Sequence, residues 1–202
     1  MFKMPKRSIK NKFAVLFLSS VFAVMLSAVS NSAQRDAHIA VDTKFGTMEI
    51  RLLPYVAPNH VTRFIHLTKL GFYDGTIFHR IIPGFMIQGG DPNTLKDDKS
   101  SYGQGGPGYT INAEFNNQPH IRGTVSMARG EDINSAGSQF FIITKTSRFL
   151  DKKYTVFGRV TKGMAVADKI AAQKRDKNDL PKERIEMRVR VLDDSVLDKI
   201  VK

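Results

Sequence analysis

The chain has 202 residues, an apolar fraction of 42%, a net charge of +12 and no cysteine. The length predicts one domain with short extensions, and the apolar fraction is sufficient for a sizeable core. The lack of cysteine excludes disulfides, thiolate catalysis and zinc sites built from cysteine.

Residues 1–33 have the pattern of a secretory signal peptide. Five basic residues and no acidic one precede an apolar run over residues 14–29, and small residues follow. We predict cleavage near residues 30–33 and no stable membrane association afterwards. The alternative is an uncleaved membrane anchor, although the run of about 16 residues is near the low end of the ~17–25 that span a bilayer.

The charge of the remaining chain is moderate. The leader carries five of the 31 basic residues and none of the 19 acidic ones, so the mature chain has a net charge of +7. Its basic residues are scattered, and no basic cluster is interleaved with aromatic residues. This distribution predicts a solvated basic surface and not a nucleic-acid interface.

The predicted elements begin with two short strands at residues 38–43 and 47–53, joined by a turn at residues 44–46. Pro58 then opens a helix in which apolar residues recur at helical spacing. Gly71 is the predicted end of this helix.

Further strands and a second helix are predicted along the rest of the chain. The strands cover residues 77–82, 85–88, 123–128, 139–144, 155–160 and 185–192. A long polar, glycine-rich segment covers residues 89–109, and the second helix covers residues 164–172. Many short strands with two helices favour an antiparallel barrel or sandwich whose openings the helices cover.

Motifs of other functional classes are either absent or lie in the wrong sequence context. Residues 103–108 fit G-x-G-x-x-G, but a dinucleotide site needs a strand before the glycines and a helix after them, and neither is predicted. The five histidines lack metal-ligand spacing, so we predict no metal site. The sequence has no G-x-S-x-G elbow, and nothing near Ser138 suggests a base for that hydroxyl.

Two apolar segments contain polar residues that packing alone does not explain. Residues 78–91 read FHRIIPGFMIQGGD and include Arg80 and Gln88, while residues 134–144 read NSAGSQFFIIT and include Gln139. A permanent cation on an apolar strand is costly unless it has a partner or a function. Each residue alone fits an ordinary structural role. Together, a cation, two amides, phenylalanines and a methionine match the composition of a ligand site.

These segments resemble the signature of the cyclophilins, a family of peptidyl-prolyl cis-trans isomerases. The resemblance covers about residues 38–192, including the glycine-rich loop, and with the leader it is similar to the periplasmic bacterial members. It implies a closed eight-stranded antiparallel β-barrel capped by two α-helices, with the site on its outer face. The predicted domains are a signal peptide (1–33), the isomerase domain (34–192) and a C-terminal tail (193–202).

The resemblance also implies a role for each residue that matches the family motif. Arg80 and Gln88 are the implied catalytic residues. The implied substrate-binding residues are Phe85, Met86, Ala128, Arg129, Gln139, Phe141, Phe149, Leu150 and Tyr154. Phe149 and Tyr154 stand where many eukaryotic members have tryptophan and histidine. Whether Gln88 contacts the substrate or orients Arg80 stays open at this point.

The implied activity is rotation about Xaa-Pro bonds, with no cofactor and no metal. The expected partners are proline-containing unfolded or flexible polypeptides, and we expect a monomer that assists protein folding in the periplasm. The alternative is a non-catalytic module that uses the same pocket as a chaperone. The arginine favours the enzyme, because binding of proline alone would not need a cation.

Overall fold

The computed structural model describes residues 36–195 of the chain. The predicted leader and residues 196–202 of the predicted tail lie outside this range. Within it, no helix is long and apolar enough to cross a membrane.

The described part consists of one antiparallel sheet of eight strands and two α-helices. The strands are β1 (Ala37–Thr43), β2 (Gly46–Leu52), β3 (Phe78–Ile82), β4 (Met86–Gly89), β5 (Thr124–Met127), β6 (Phe140–Ile143), β7 (Val156–Lys162) and β8 (Arg188–Asp193). The helices are α1 (Pro58–Lys69) and α2 (Met164–Ala171). The order across the sheet is β3-β4-β6-β5-β7-β2-β1-β8. The predicted strands and both predicted helices are therefore confirmed, with small differences at their ends.

The predicted closed barrel is wrong. The sheet is open and curves into a half-barrel, with β3 and β8 at its edges. Residues 75–78, which lead into β3, exchange backbone hydrogen bonds with residues 185–187, which precede β8. Farther along β3, the N–H of Ile81 donates to the carbonyl of Asp179 at 2.9 Å. The facing segment turns there and contains Pro181, which has no N–H, so it does not form a ladder along β3.

The local predictions for the first hairpin and helix are confirmed. The β1–β2 turn places Gly46 at φ +122°, a backbone conformation that favours glycine. Helix α1 begins at Pro58 and buries one apolar face, which includes Val61, Phe64 and Ile65. Gly71 follows the helix at φ +69°, as a residue that ends a helix often does.

Side-chain alternation divides the central strands between two hydrophobic clusters. Ile87 of β4 and Phe140 of β6 point into the main core, where Phe140 packs against α1. Their neighbours Met86 and Phe141 point to the opposite face, where they form a second, smaller cluster with Leu150. Successive side chains of a strand point to opposite faces, so the same short strands serve both clusters. The second cluster forms the floor of the candidate site.

Candidate active site

Four side chains form a row across four neighbouring strands on the outer face of the sheet. The strand register pairs Arg80 with Gln88, Gln88 with Phe141, and Phe141 with Ser126. Directly paired residues of antiparallel strands point to the same face, with Cβ atoms roughly 4.5–5.5 Å apart. The structure therefore brings the two unusual segments of the sequence together at one place.

A cavity of about 180 Å³ lies along this row. Its lining consists of Arg80, Phe85, Met86, Gln88, Ala128, Arg129, Phe141, Leu150 and Tyr154. It is smaller than the ~300–1,000 Å³ of sites for drug-sized ligands, so it suits one ring-sized side chain. Met86 and Phe141 are buried on its floor, whereas the Arg80 side chain is 47% exposed at its rim.

Two of the predicted site residues lie beside this cavity and do not line it. Gln139 lies next to Gln88 and is hydrogen-bonded to it. Phe149 is 63% exposed, and its ring centroid is 5.6 Å from that of Phe85. Phe149 therefore extends the apolar surface outward from the cavity as an exposed rim.

The orientation of both glutamine amides is fixed by a carbonyl group. Gln139 Nε2 donates to the carbonyl of Gly105 at 2.9 Å, and Gln88 Nε2 donates to Gln139 Oε1 at 3.0 Å. A carbonyl can only accept, so Gln139 must turn its NH2 toward Gly105 and its oxygen toward Gln88. Within residues 36–195, no hydrogen bond joins the side chains of Gln88 and Arg80. Gln88 thus faces Arg80 through the strand register and is itself held by Gln139.

The glycine-rich loop owes its position to a buried carboxylate. Asp91 accepts hydrogen bonds from the N–H groups of Asn93 at 2.8 Å and Gly103 at 2.5 Å. A Cβ at Gly105 would collide with the Asp91 carboxylate. The G-x-G-x-x-G segment is therefore an irregular loop held against Asp91, as its sequence context predicts, and it presents the Gly105 carbonyl to Gln139.

Arg80 has an acidic neighbour that no feature of the sequence predicts. Asp179 Oδ2 lies 3.9 Å from Arg80 Nε, across 99 positions of sequence. No periodicity or motif links the two residues, and only the docking of the chain before β8 against β3 brings them together. The cation that looked costly on an apolar strand is thus half-exposed and has a carboxylate beside it.

A buried polar chain supports the far end of the row. The two ring nitrogens of His120 contact Asp151 Oδ1 at 3.1 Å and Ser126 Oγ at 2.8 Å, and the ring stacks on Phe141. Burial lowers the pKa of His120, although Asp151 acts in the opposite direction. The grouping has the residue types of a hydrolytic triad, but Ser126 is fully buried, so its hydroxyl cannot reach a substrate.

Arg129 and Tyr154 line the remaining side of the cavity. The Arg129 guanidinium lies 4.9 Å from the centroid of the Tyr154 ring and donates to the carbonyls of Gly130, Glu131 and Lys153. These contacts fix the side chain of Arg129 along the rim. In the described part of the chain, no group of acidic or histidine side chains has the arrangement of a metal site.

Comparison with known proteins identifies the family. The family model of the cyclophilin-type peptidyl-prolyl cis-trans isomerases matches residues 38–191. Peptidyl-prolyl cis-trans isomerase A of Dickeya dadantii is 41% identical over 162 residues, which cover 76% of this chain and 83% of that protein. A peptidyl-prolyl cis-trans isomerase of Synechococcus elongatus is 45% identical over 119 residues, which cover 59% of this chain and 77% of that protein.

Solved structures agree with this result. A cyclophilin-type isomerase of Cryptosporidium parvum superposes with a TM-score of 0.72 and 28% identity over 79% of this chain and 99% of that one. A second structure of that protein, determined in the presence of the dipeptide Ala-Pro, gives a TM-score of 0.71. The chain therefore belongs to the cyclophilin-type peptidyl-prolyl cis-trans isomerase family. It is an isomerase, as the sequence predicts.

Proposed function

We propose that this protein accelerates rotation about Xaa-Pro bonds in unfolded or flexible chains, and so assists protein folding in the periplasm. One observation supports this most strongly: the Arg80 side chain lines the rim of a ring-sized cavity that has an apolar floor. The cavity suits a proline ring, and the cation is placed to act on the bond beside that ring.

The chemistry requires a donor that acts only during rotation. An Xaa-Pro bond turns through a state with broken amide resonance, against a barrier of ~18–20 kcal/mol. As resonance is lost, the prolyl nitrogen becomes pyramidal and gains a lone pair. Arg80 donates to that lone pair, which the planar ground state lacks, so the interaction lowers the barrier. Lysine would be a poorer donor, because it lacks the planar fork of a guanidinium.

The cavity provides the part of the rate enhancement that Arg80 does not supply. A hydrogen bond from a charged group contributes ~1.5–3 kcal/mol, or about one to two decades of rate. The ring must therefore be held against Met86 and Phe141 while the preceding carbonyl swings. The rigid strand register places Arg80 and Gln88 on the same face as this apolar floor.

Replacement of the cation tests the proposal. We expect Arg80→Ala to lower kcat/KM by ~10²–10³, as for loss of an electrostatic donor, in a protease-coupled assay on an Ala-Pro-Phe peptide. Arg188→Ala, which removes an exposed guanidinium on β8, is the matched control and should keep full activity. Near-wild-type activity of Arg80→Ala, with an unchanged circular dichroism spectrum, would refute the role given to Arg80.

A second function, non-catalytic chaperone binding, is favoured by the exposed apolar rim of Phe149 against Phe85. Such a rim can hold apolar segments of an unfolded chain whether or not a bond rotates. The refolding yield of a client protein distinguishes catalysis from chaperone binding. Loss of the benefit with Arg80→Ala supports catalysis, whereas full benefit with that variant supports chaperone binding.

The periplasmic location and the lack of a nucleic-acid partner rest on the sequence. The layout of residues 1–33 supports export, and the scattered basic residues support the lack of a nucleic-acid partner. N-terminal sequencing of the exported protein should find a chain that begins near residues 30–33. Sedimentation of that mature protein should give the mass of one chain, and a full-length membrane-bound product would overturn the cleavage.

A further inference from the structure

The turn that precedes β8 has an unusual backbone at Asp179. This residue has φ +65°, a left-handed conformation that non-glycine residues seldom adopt and that aspartate and asparagine tolerate best. Asp176 Oδ1 stabilises the turn by accepting from the N–H groups of Asn178 at 2.8 Å and Leu180 at 3.0 Å. The turn thus holds Asp179 in one defined conformation.

This turn is fastened to the strand that contains the catalytic cation. The carbonyl of Asp179 accepts from the N–H of Ile81 at 2.9 Å, and Ile81 is the next residue after Arg80. The side chain of Asp179 then places Oδ2 3.9 Å from Arg80 Nε, while Oδ1 accepts from Arg175 Nε at 2.9 Å. A backbone contact and an ion pair therefore fix the carboxylate beside Arg80 from two directions.

We propose that Asp179 is a positioning residue for Arg80, an inference that rests on the proposed function of that cation. The carboxylate attracts the Nε edge of the guanidinium, and this leaves the terminal nitrogens available to the cavity that Arg80 lines. A long arginine side chain with a half-exposed end samples several rotamers unless a neighbour limits them. Arg175 engages the other carboxylate oxygen and keeps it from turning away.

The expected effect is modest, because both partners are partly exposed. Exposed ion pairs contribute about 0.2–1 kcal/mol, which corresponds to at most about fivefold in rate. We therefore expect Asp179→Asn to lower kcat/KM by about two- to fivefold at low ionic strength. Asparagine tolerates positive φ, so this variant removes the charge and keeps the turn. Glu183→Gln removes an exposed carboxylate that pairs with Lys44, and it should keep full activity.

Two readouts distinguish positioning from a structural role. The ratio of wild-type to Asp179→Asn activity should approach one as the salt concentration rises to about 1 M, because salt screens an exposed ion pair. In the Arg80→Ala background, Asp179→Asn should have no further effect on kcat/KM. Asp179→Gly, which also permits positive φ, should match Asp179→Asn.

The outcomes distinguish a failure of the role of Asp179 from a failure of the proposed function on which that role rests. Wild-type activity of Asp179→Asn, with Arg80→Ala impaired, overturns the role of Asp179 alone. The same holds if Asp179→Asn has an equal effect with and without Arg80, or if only Asp179→Gly is impaired. Wild-type activity of Arg80→Ala overturns both assignments.

Discussion

Gln139 has one donor group and one acceptor group, and each faces a neighbour that fills the opposite role. Its NH2 meets the carbonyl of Gly105, and its oxygen meets the NH2 of Gln88. The orientation of Gln88 is therefore determined by a backbone carbonyl in a loop that Asp91 holds in place. A residue beside the cavity can in this way decide which atom of a cavity residue faces the substrate.

We expect Gln139→Glu to lower kcat/KM about tenfold, because loss of a partly buried hydrogen bond costs ~1–3 kcal/mol and a carboxylate cannot donate to Gly105. Gln173→Glu is the matched control, since it removes a similar bond from Gln173 Nε2 to the carbonyl of Lys169 on α2, and Gln173 does not line the cavity. The two variants are compared in the isomerase assay after circular dichroism confirms the fold. Equal activities would show that the hydrogen bond from Gln139 to the Gly105 carbonyl does not contribute to catalysis.

Three of the four residues of the row, and Gln139 beside it, could be predicted from the sequence. Ser126 and the groups that hold Arg80 and Gln139 could not. Arg80, Gln88 and Gln139 stood out because polar groups on apolar strands need an explanation, and Phe141 followed from the family motif. Asp179 and the Gly105 carbonyl could not be found in this way. One lies in an ordinary polar turn, and the other is a backbone group, and both depend on contacts made across the fold.

At the scale of elements, α1 shows how a distant loop can complete a helix. Ala57 precedes the helix and offers no side-chain cap. The carboxylate of Glu114 replaces it, accepting from the N–H groups of Asn59 and His60 at 3.0 Å each and meeting His60 Nδ1 at 2.6 Å. Burial opposes ionisation of Glu114, but the hydrogen bonds from His60 and Asn59 dominate and lower its pKa. A negative charge at this end also complements the helix dipole.

We expect Glu114→Gln to lower the free energy of unfolding by about 1.5–3 kcal/mol, the range for hydrogen bonds to a charged group. Urea unfolding followed by circular dichroism measures the change. Glu131→Gln, at an exposed loop position, should not change the urea midpoint. An unchanged midpoint for Glu114→Gln would mean that a neutral amide oxygen caps the helix as well as the carboxylate does.

Element positions were more predictable than their assembly. Alternation and turn residues such as Gly46 are local signals, so the strands and the first hairpin followed from the sequence. Whether the sheet closes into a barrel did not follow from the sequence, because closure depends on which residues face β3. Those residues belong to a turn with Pro181 and not to β8, and no local pattern indicates this.

At the scale of the whole molecule, buried histidines make stability depend on pH. Burial lowers the pKa of both His79 and His120 below the usual value of 6.5. A depressed histidine pKa means that the unfolded chain takes up the proton first. Their contribution to stability is therefore complete above pH 6.5 and is lost as the pH falls from 6.5 through the folded-state pKa values.

We expect the free energy of unfolding to fall between pH 7 and pH 5, by at most about 1.4 kcal/mol per pH unit for each histidine. His120→Gln should reduce this slope, whatever its effect on absolute stability. Asp151 does not confuse the measurement, because its pKa is lowered from 3.8 and its contribution is lost only at more acid pH. Denaturant midpoints at pH 7, 6 and 5 give the slopes, and identical slopes would exclude His120 as a source.

Strand β1 lies between β2 and β8, so the first and last strands of the domain are neighbours. A chain that emerges with its N-terminus first can form the β1–β2 hairpin early, but the other edge of β1 stays bare until residues 188–193 emerge. Pairing between the ends of a chain is slow, and a bare edge attracts other chains in the meantime. Until its last strand has emerged, this isomerase is itself an unfinished chain with an exposed edge, and its own folding contains an interval in which that edge is open to other chains.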